Sequence, residues 1–276
     1  FMDHDINQRH SLQQISLLTQ PQRGKRVLYE NTDSYNEGKN YCFFDDWYEG
    51  VLHTIETINE GKRVYINVDF SNKTDGEEHR RLQMFERLIH KHCPGKKSIA
   101  YDTNNLPYNL RTSFAIELEK EVDSGLNFCI FSPAVGRGVS YLPDDKSKDF
   151  DLEMTFLASS HSNANTAFQG TGRPRRTIEH GVCFNMRWRP GSRRFNENAL
   201  KTYRNVNYRT TRKELRYRVT VADMQELLQS NPKNMLKYLL LHKRCNLFHI
   251  ANEDGIYTKL PRDLEKTYKD IKKEFE

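Results

Sequence analysis

Two segments hold residue types that could do chemistry on a phosphate-rich ligand. The first is Phe131-Ser-Pro-Ala-Val-Gly-Arg-Gly-Val-Ser-Tyr141, where an apolar run enters a turn bearing Gly136, Arg137 and Gly138. Glycines let a backbone approach a ligand closely and adopt positive φ. The second is Gln169-Gly-Thr-Gly-Arg-Pro-Arg-Arg176. Gln169 lies four residues before Arg173, and Arg176 three after it. A helical turn would present all three on one face. Arginines fixed that way reach a phosphate together, and the planar guanidinium suits bidentate contact.

The second segment opens an arginine-dense strip. From Arg173 to Arg218 there are 12 Arg and 2 Lys against 3 Glu, a net of +11 in a chain whose total is +6, which leaves −5 for the rest. Trp188, Phe195, Tyr203, Tyr208 and Tyr217 are interleaved with it. Basic residues mixed with aromatics fit a nucleic-acid surface, because phosphates attract charge and bases stack on flat partners. The alternative is a solvated basic face, or arginines paired with acids elsewhere.

Length and composition narrow the class. The chain has 276 residues, 36% hydrophobic and 29% charged, with a mean hydropathy of −0.85. With 15 Phe, 14 Tyr and 2 Trp it has too many aromatics for a disordered chain. No apolar run approaches the roughly 20 residues that span a bilayer. The five cysteines (Cys42, Cys93, Cys129, Cys183, Cys245) are scattered and form no Cys-x-x-Cys pair. That supports neither a disulfide framework nor a zinc site, and points to a soluble protein of a reducing, intracellular compartment. The opening Phe1-Met2 is what a segment of a longer protein would show.

Helices and strands alternate along the first two thirds. Strands are predicted at 26–30 (RVLYE), 63–70 (RVYINVDF), 97–101, 127–132 (NFCIFS), 151–157 and within 178–188. Helices are predicted at 45–59, with Asp45 or Asp46 as cap and Gly61 as stop, at 77–92 and at 108–122. Such alternation predicts parallel βαβ units in a three-layer α/β sandwich, whose ligands sit beyond the carboxyl ends of the strands. After about residue 190 the pattern changes, with helices predicted at 223–230, 232–243 and 262–275. The expected division is a peripheral segment over 1–25, an α/β body over 26–190, and a basic, mainly helical extension over 191–276.

In this order, the two segments resemble motifs V and VI of the superfamily 2 helicases. Motif VI reads Gln-x-x-Gly-Arg-x-x-Arg, matched by Gln169, Gly172, Arg173 and Arg176. Residues 64–73 (VYINVDFSNK) resemble motif IV, and 98–104 falls where the next strand and turn of the family lie. The resemblance covers roughly 60–190, the second RecA-like domain. The wording SPAVGRGVSY, with Phe150-Asp151 after it and the strand and acidic lead-in RVLYE at 26–30, is most similar to origin-binding-protein-type helicases and primase-helicases of large DNA viruses and mobile replicons. That placement implies the cytoplasm or nucleus of a host cell.

The resemblance implies an ATP-dependent motor acting in DNA replication. ATP and Mg²⁺ lie between two RecA-like domains, and the second supplies arginine fingers to the transferred phosphoryl group. It implies Arg176 as the main finger, Arg173 as a second phosphate contact or interdomain sensor, and Gln169 as an orienting group. Gly136, Gly138 and Gly172 would line the nucleotide side. Ser71, Asn72, Thr103, Ser132 and Arg137 would meet a nucleic-acid backbone at the strand ends, and Arg193 and Arg194, within the arginine-rich 187–218, would extend that track or face the missing domain. The implied partners are single-stranded or duplex DNA, with RNA open, and an N-terminal RecA-like domain of the same protein. The alternatives are a catalytically inactive nucleic-acid-binding module, or half of an RNA helicase or translocase.

The departures bear on activity. No Gly-x-x-x-x-Gly-Lys-Ser/Thr loop exists, and no acidic box ends an apolar strand, so this chain alone is not expected to hydrolyse ATP. Gly170 and Pro174 are unusual fillers of motif VI. His90, His92 and Cys93 read as a helix end rather than a zinc site, so no metal ligand is assigned. Asp144, Asp145, Asp149 and Asp151 read as a solvated loop rather than a paired-carboxylate site.

Overall fold

A computed structural model describes residues 37–44, 46–70, 81–101, 114–132, 140–157, 167–168, 170–184, 236–237, 239–241, 243–250 and 259–275. All of them fall in one compact unit made of residues 35–189 and 233–276. Its strands are β1 (Asn40–Phe44), β2 (Val64–Val68), β3 (Ser98–Tyr101), β4 (Phe128–Phe131), β5 (Leu152–Leu157), β6 (Glu179–Phe184) and β7 (Asn246–Ile250). Its helices are α1 (Trp47–Asn59), α2 (Arg81–His92), α3 (Phe114–Asp123) and α4 (Lys259–Phe275). The strands form one sheet in the order β3-β4-β2-β5-β6-β1-β7, every pair parallel.

Helices cover both faces, as the alternation of elements predicts. Parallel strands are buried on both sides and so read as continuous apolar runs. In β2 and β5 every residue is buried. Val64, Ile66, Met154 and Phe156 face α1, α2 and α4 in one cluster with Val51, Ile58, Phe85, Leu88, Leu264 and Ile271. The intervening Tyr65 faces the other way. With Cys129 and Phe131 it packs on Phe114, Leu118 and Val122 of α3, next to Tyr141 and Phe150. Asp46 caps α1, accepting from the backbone N–H of Tyr48 at 2.7 Å and Glu49 at 3.2 Å. Gly61, at φ +85°, turns the chain out of that helix.

The structure corrects the organisation after residue 190 in part. The C-terminal segment is not a separate helical extension. Residues 246–250 add β7 to the sheet beside β1, pairing Asn40 with Asn246 through Phe44 with Ile250. Helix α4 lays Leu264, Tyr268, Ile271 and Phe275 onto the cluster under α1 and α2. Strand β7 is five residues of mixed polarity at a sheet edge, which gives a weak periodic signal. Strand β1 was likewise not predicted, and the predicted strand at 26–30 lies outside the described residues. So do the predicted helix at 223–230 and the starts of those at 77 and 108.

Candidate functional site

On the α3 side of the sheet, one row of side chains crosses four strands in register. Tyr65 of β2 pairs with Glu153 of β5, Glu153 with His180 of β6, and His180 with Tyr41 of β1. Glu153 and His180 are 0% and 2% exposed. A charge buried that deeply requires partners, and Glu153 has three. Asn67 donates Nδ2–H to Oε1 at 2.6 Å, Gly172 donates its backbone N–H to Oε2 at 2.7 Å, and His180 Nδ1 lies 2.7 Å from Oε2. The His180 ring stacks on Tyr41 at 4.4 Å between centroids and 12° between planes. Its Nε2 lies 3.0 Å from the Thr177 carbonyl.

The arginine turn rests on this row. Thr171 closes a turn onto Ala167, its N–H donating at 3.0 Å, and Gly172 takes φ +75°. Tyr141 then flanks the turn like a strand, bridging Pro174. Its N–H donates to the Arg173 carbonyl at 2.9 Å, and its carbonyl accepts from Arg175 at 3.0 Å. Thr177 Oγ1–H donates to the Phe150 carbonyl at 2.8 Å. Residues 173–177 are therefore extended and turned, not helical. This corrects the expectation of one helical face for Gln169, Arg173 and Arg176. Pro174 has no N–H to continue a helix, and the positive φ of Gly172 has already broken it.

The two arginines have different surroundings. Arg173 lies beside Tyr65, whose hydroxyl burial holds well above its ordinary range against the pull of that guanidinium. Arg176 is ion-paired with Asp149, its Nε 3.0 Å from Oδ1 and 2.9 Å from Oδ2, and its Nη2 donates to the Pro143 carbonyl. Asp149 precedes β5 and Arg176 precedes β6, so this pair sits at the amino end of the parallel sheet. Ser132 lies at the opposite, carboxyl end of β4, buried, with its N–H on the Tyr101 carbonyl at 3.0 Å. Gly136, Arg137, Gly138, Gln169, Ser71, Asn72, Thr103, Arg193 and Arg194 lie outside the described residues.

The acidic loop is structural rather than merely solvated. Asp145 caps the short turn at Lys146–Lys148, accepting from Ser147 N–H at 2.8 Å, and Asp151 accepts from Arg63 N–H at 2.7 Å. Lys148 ties the loop to α3 through Glu119 at 2.8 Å and Asp123 at 2.9 Å. His90 Nε2 lies 2.7 Å from Ser98 Oγ, which donates to Glu86 at 2.7 Å. Among the described residues, no group of three or more His, Cys, Asp or Glu could hold a metal ion. None of their helices is long and apolar enough to cross a membrane.

Sequence reasoning missed Glu153, His180, Asn67, Tyr41 and Lys39. The available signal was a lone acid inside the apolar run LEMTFL and a histidine opening the run HGVCF. Lys39 is 4% exposed and its Nζ has no hydrogen-bond partner among the described residues. Burial lowers its pKa, partly offset by the attraction of Glu153.

No family model matches the chain, and no curated protein matches it. Among solved structures, a Saccharomyces cerevisiae Dbp5 variant bound to a Gle1 variant and IP6 is similar at 9% identity and a TM-score of 0.43. The match covers 94% of this chain and 51% of that one, so this chain spans about half the length of its match. Likeness at that score and identity lends no weight to a functional assignment.

Proposed function

We propose that this chain is the second RecA-like domain of a superfamily 2-type, ATP-dependent nucleic-acid motor. One observation carries the reading. The two segments that resemble motifs V and VI, far apart in sequence, are joined by the Tyr141–Pro174 bridge on an all-parallel sheet. In this reading Arg173 and Arg176 supply positive charge to an ATP site completed by another domain. An arginine so placed is worth on the order of 10³–10⁵ in rate. Gln169, Gly136, Gly138 and Gly172 belong to the same site. Ser71, Asn72, Thr103, Ser132, Arg137, Arg193 and Arg194 form the nucleic-acid track. The Mg²⁺ that accompanies ATP would be held by the other domain. A role in DNA replication, of the origin-binding type, rests on the wording of residues 132–141, with Phe150-Asp151 and the lead-in at 26–30.

A second reading is favoured by the Arg176–Asp149 pair. An arginine held by a carboxylate and a carbonyl at the amino end of the sheet does structural work. A nucleic-acid-binding module without turnover would need nothing more of it.

Two measurements test these readings. Anisotropy of this chain with labelled single-stranded DNA, duplex DNA and RNA across a salt series should show salt-sensitive binding. No binding at low salt would remove the nucleic-acid track. In a protein that also carries the Walker-type domain, Arg173→Ala and Arg176→Ala should abolish ATP turnover while sparing ATP binding. Turnover lost with only Arg173→Ala would leave Arg176 to the structural role. Undiminished turnover in both variants would overturn the motor reading.

A further inference from the structure

We infer that Glu153 and His180 are a positioning pair that grips the arginine turn at both ends. Glu153 takes the N–H of Gly172, the residue before Arg173. His180 meets the carbonyl of Thr177, the residue after Arg176, through Nε2 at 3.0 Å. Both arginines lie between these two anchors. The anchors approach each other to 2.7 Å, His180 Nδ1 to Glu153 Oε2, and stand on adjacent strands in the middle of the sheet.

The hydrogen-bond inventory fixes the polarity of the pair. Asn67 Nδ2 and Gly172 N can only donate, so Glu153 serves them as an acceptor on both oxygens. Both ring nitrogens of His180 face oxygens, Nδ1 lying 2.7 Å from Glu153 Oε2 and Nε2 3.0 Å from the Thr177 carbonyl. Tyr41 holds the ring plane by stacking on it. Among the described residues, the other ionisable groups around the pair are Lys39 ahead of β1, Tyr41 on β1, Tyr65 on β2, Cys129 on β4, and Arg173 and Arg175 on the turn itself.

Stability alone does not call for this arrangement. A buried acid–base pair is commonly replaced by apolar side chains of similar volume without loss. What an apolar row cannot do is hold the Gly172 amide and the Thr177 carbonyl, five residues apart, at fixed places above the sheet. The pair therefore acts through the backbone on Arg173 and Arg176, whose use as phosphate contacts rests on the motor reading above.

The test reads the turn directly. Amide hydrogen exchange is followed residue by residue in this chain and in Glu153→Gln, His180→Phe and the double variant Glu153→Leu/His180→Phe. The positioning role requires exchange at Gly172 to rise by about tenfold or more in Glu153→Gln, while amides of β2 and β4 keep their protection. The double variant should fold, by circular dichroism, and still show the fast Gly172 amide. An unchanged Gly172 amide, or a rise spread evenly over the sheet, would overturn the pair's role. Turnover of the protein with both domains separates this result from the motor reading. A released Gly172 amide with turnover indifferent to Arg173→Ala upholds the pair and sinks the motor. With the motor intact, Glu153→Gln should lower kcat by about tenfold and leave KM for ATP near its original value.

Discussion

Arg176 and Asp149 form a two-point ion pair across the entrances to β5 and β6, Nε lying within 3.0 Å of both carboxylate oxygens. Their side chains are 28% and 23% exposed, so solvent screens the pair only in part. The Pro143 carbonyl completes the seat. The arginine that the sequence singles out for chemistry is also what fixes the loop over 143–149 to the base of the sheet.

Asp149→Asn and Arg176→Gln should each lower folding stability by roughly 1.5–3 kcal/mol, the range for hydrogen bonds to charged groups. Combined, they should cost little more than the larger single effect, because the two share one interaction. Urea denaturation of the three variants checks this. Strict additivity would mean that the pair contributes nothing.

Gly50 marks the closest approach of α1 to the sheet. A Cβ there would lie 1.9 Å from Cys183 Sγ and 3.5 Å from the Phe156 ring. Gly50→Ala should therefore destabilise the fold by about 1–3 kcal/mol through overpacking. Adding Cys183→Ala should return most of the loss, since it removes the sulfur that the new methyl meets. Denaturation midpoints of both variants decide the matter.

Helix α4 belongs to the core, so its apolar stripe should behave like core. Ile271 is fully buried. Ile271→Ala should cost about 2–5 kcal/mol, the usual range for such truncations. A change of only a few tenths would mark the helix as a detachable appendage.

Stability should fall as pH rises from about 9. Burial pushes the thiols of Cys93 and Cys245 up to about 11, and holds those of Cys129 and Cys183 well above the ordinary thiol range. Burial also raises Tyr101 to about 12. Each group keeps its proton in the folded chain after the unfolded chain has lost it, so the thiol contributions are complete below about pH 9 and that of Tyr101 below about pH 10, and each is lost as pH rises through the folded value, near 11 for Cys93 and Cys245. Lys39, lowered by burial, runs the other way as pH rises toward 10.5, but it stands alone against five groups. Urea midpoints at pH 7.5, 9 and 10.5 should fall in that order. A flat profile would show the thiols to be exposed.

How far the chain can be read before folding depends on range. The buried strands β2, β4 and β5 are visible because each is a mostly apolar run bounded by turn residues, and α1 because Val51, Ile55 and Ile58 recur at helical spacing. Strand β1 (NYCFF) has no β-branched residue and β7 (NLFHI) mixes polar with apolar ones, and their parallel partners make them strands. The arginines were legible by type but not by partner. Nothing near Arg176 in sequence points to Asp149, and nothing near Glu153 points to Asn67, Gly172 and His180 together. Those relations exist only once the sheet brings distant strands side by side.

The position of β1 also sets an order for assembly. Its neighbours are β6 and β7, so Asn40 pairs with Glu179 on one side and with Asn246 on the other. Strands β2 to β5, by contrast, draw all their mutual pairings from residues 64–157. Of the described strands, β1 is the first that a ribosome releases and it completes its pairing only with β7. Until the carboxyl-terminal strand emerges, Tyr41, Phe43 and Phe44 wait on an open edge. Long-range parallel pairing of this kind is slow to nucleate and exposed to aggregation. The nascent protein is thus most vulnerable between the synthesis of β1 and that of β7, a window of about 200 residues that at ~5–20 residues per second lasts on the order of 10–40 seconds.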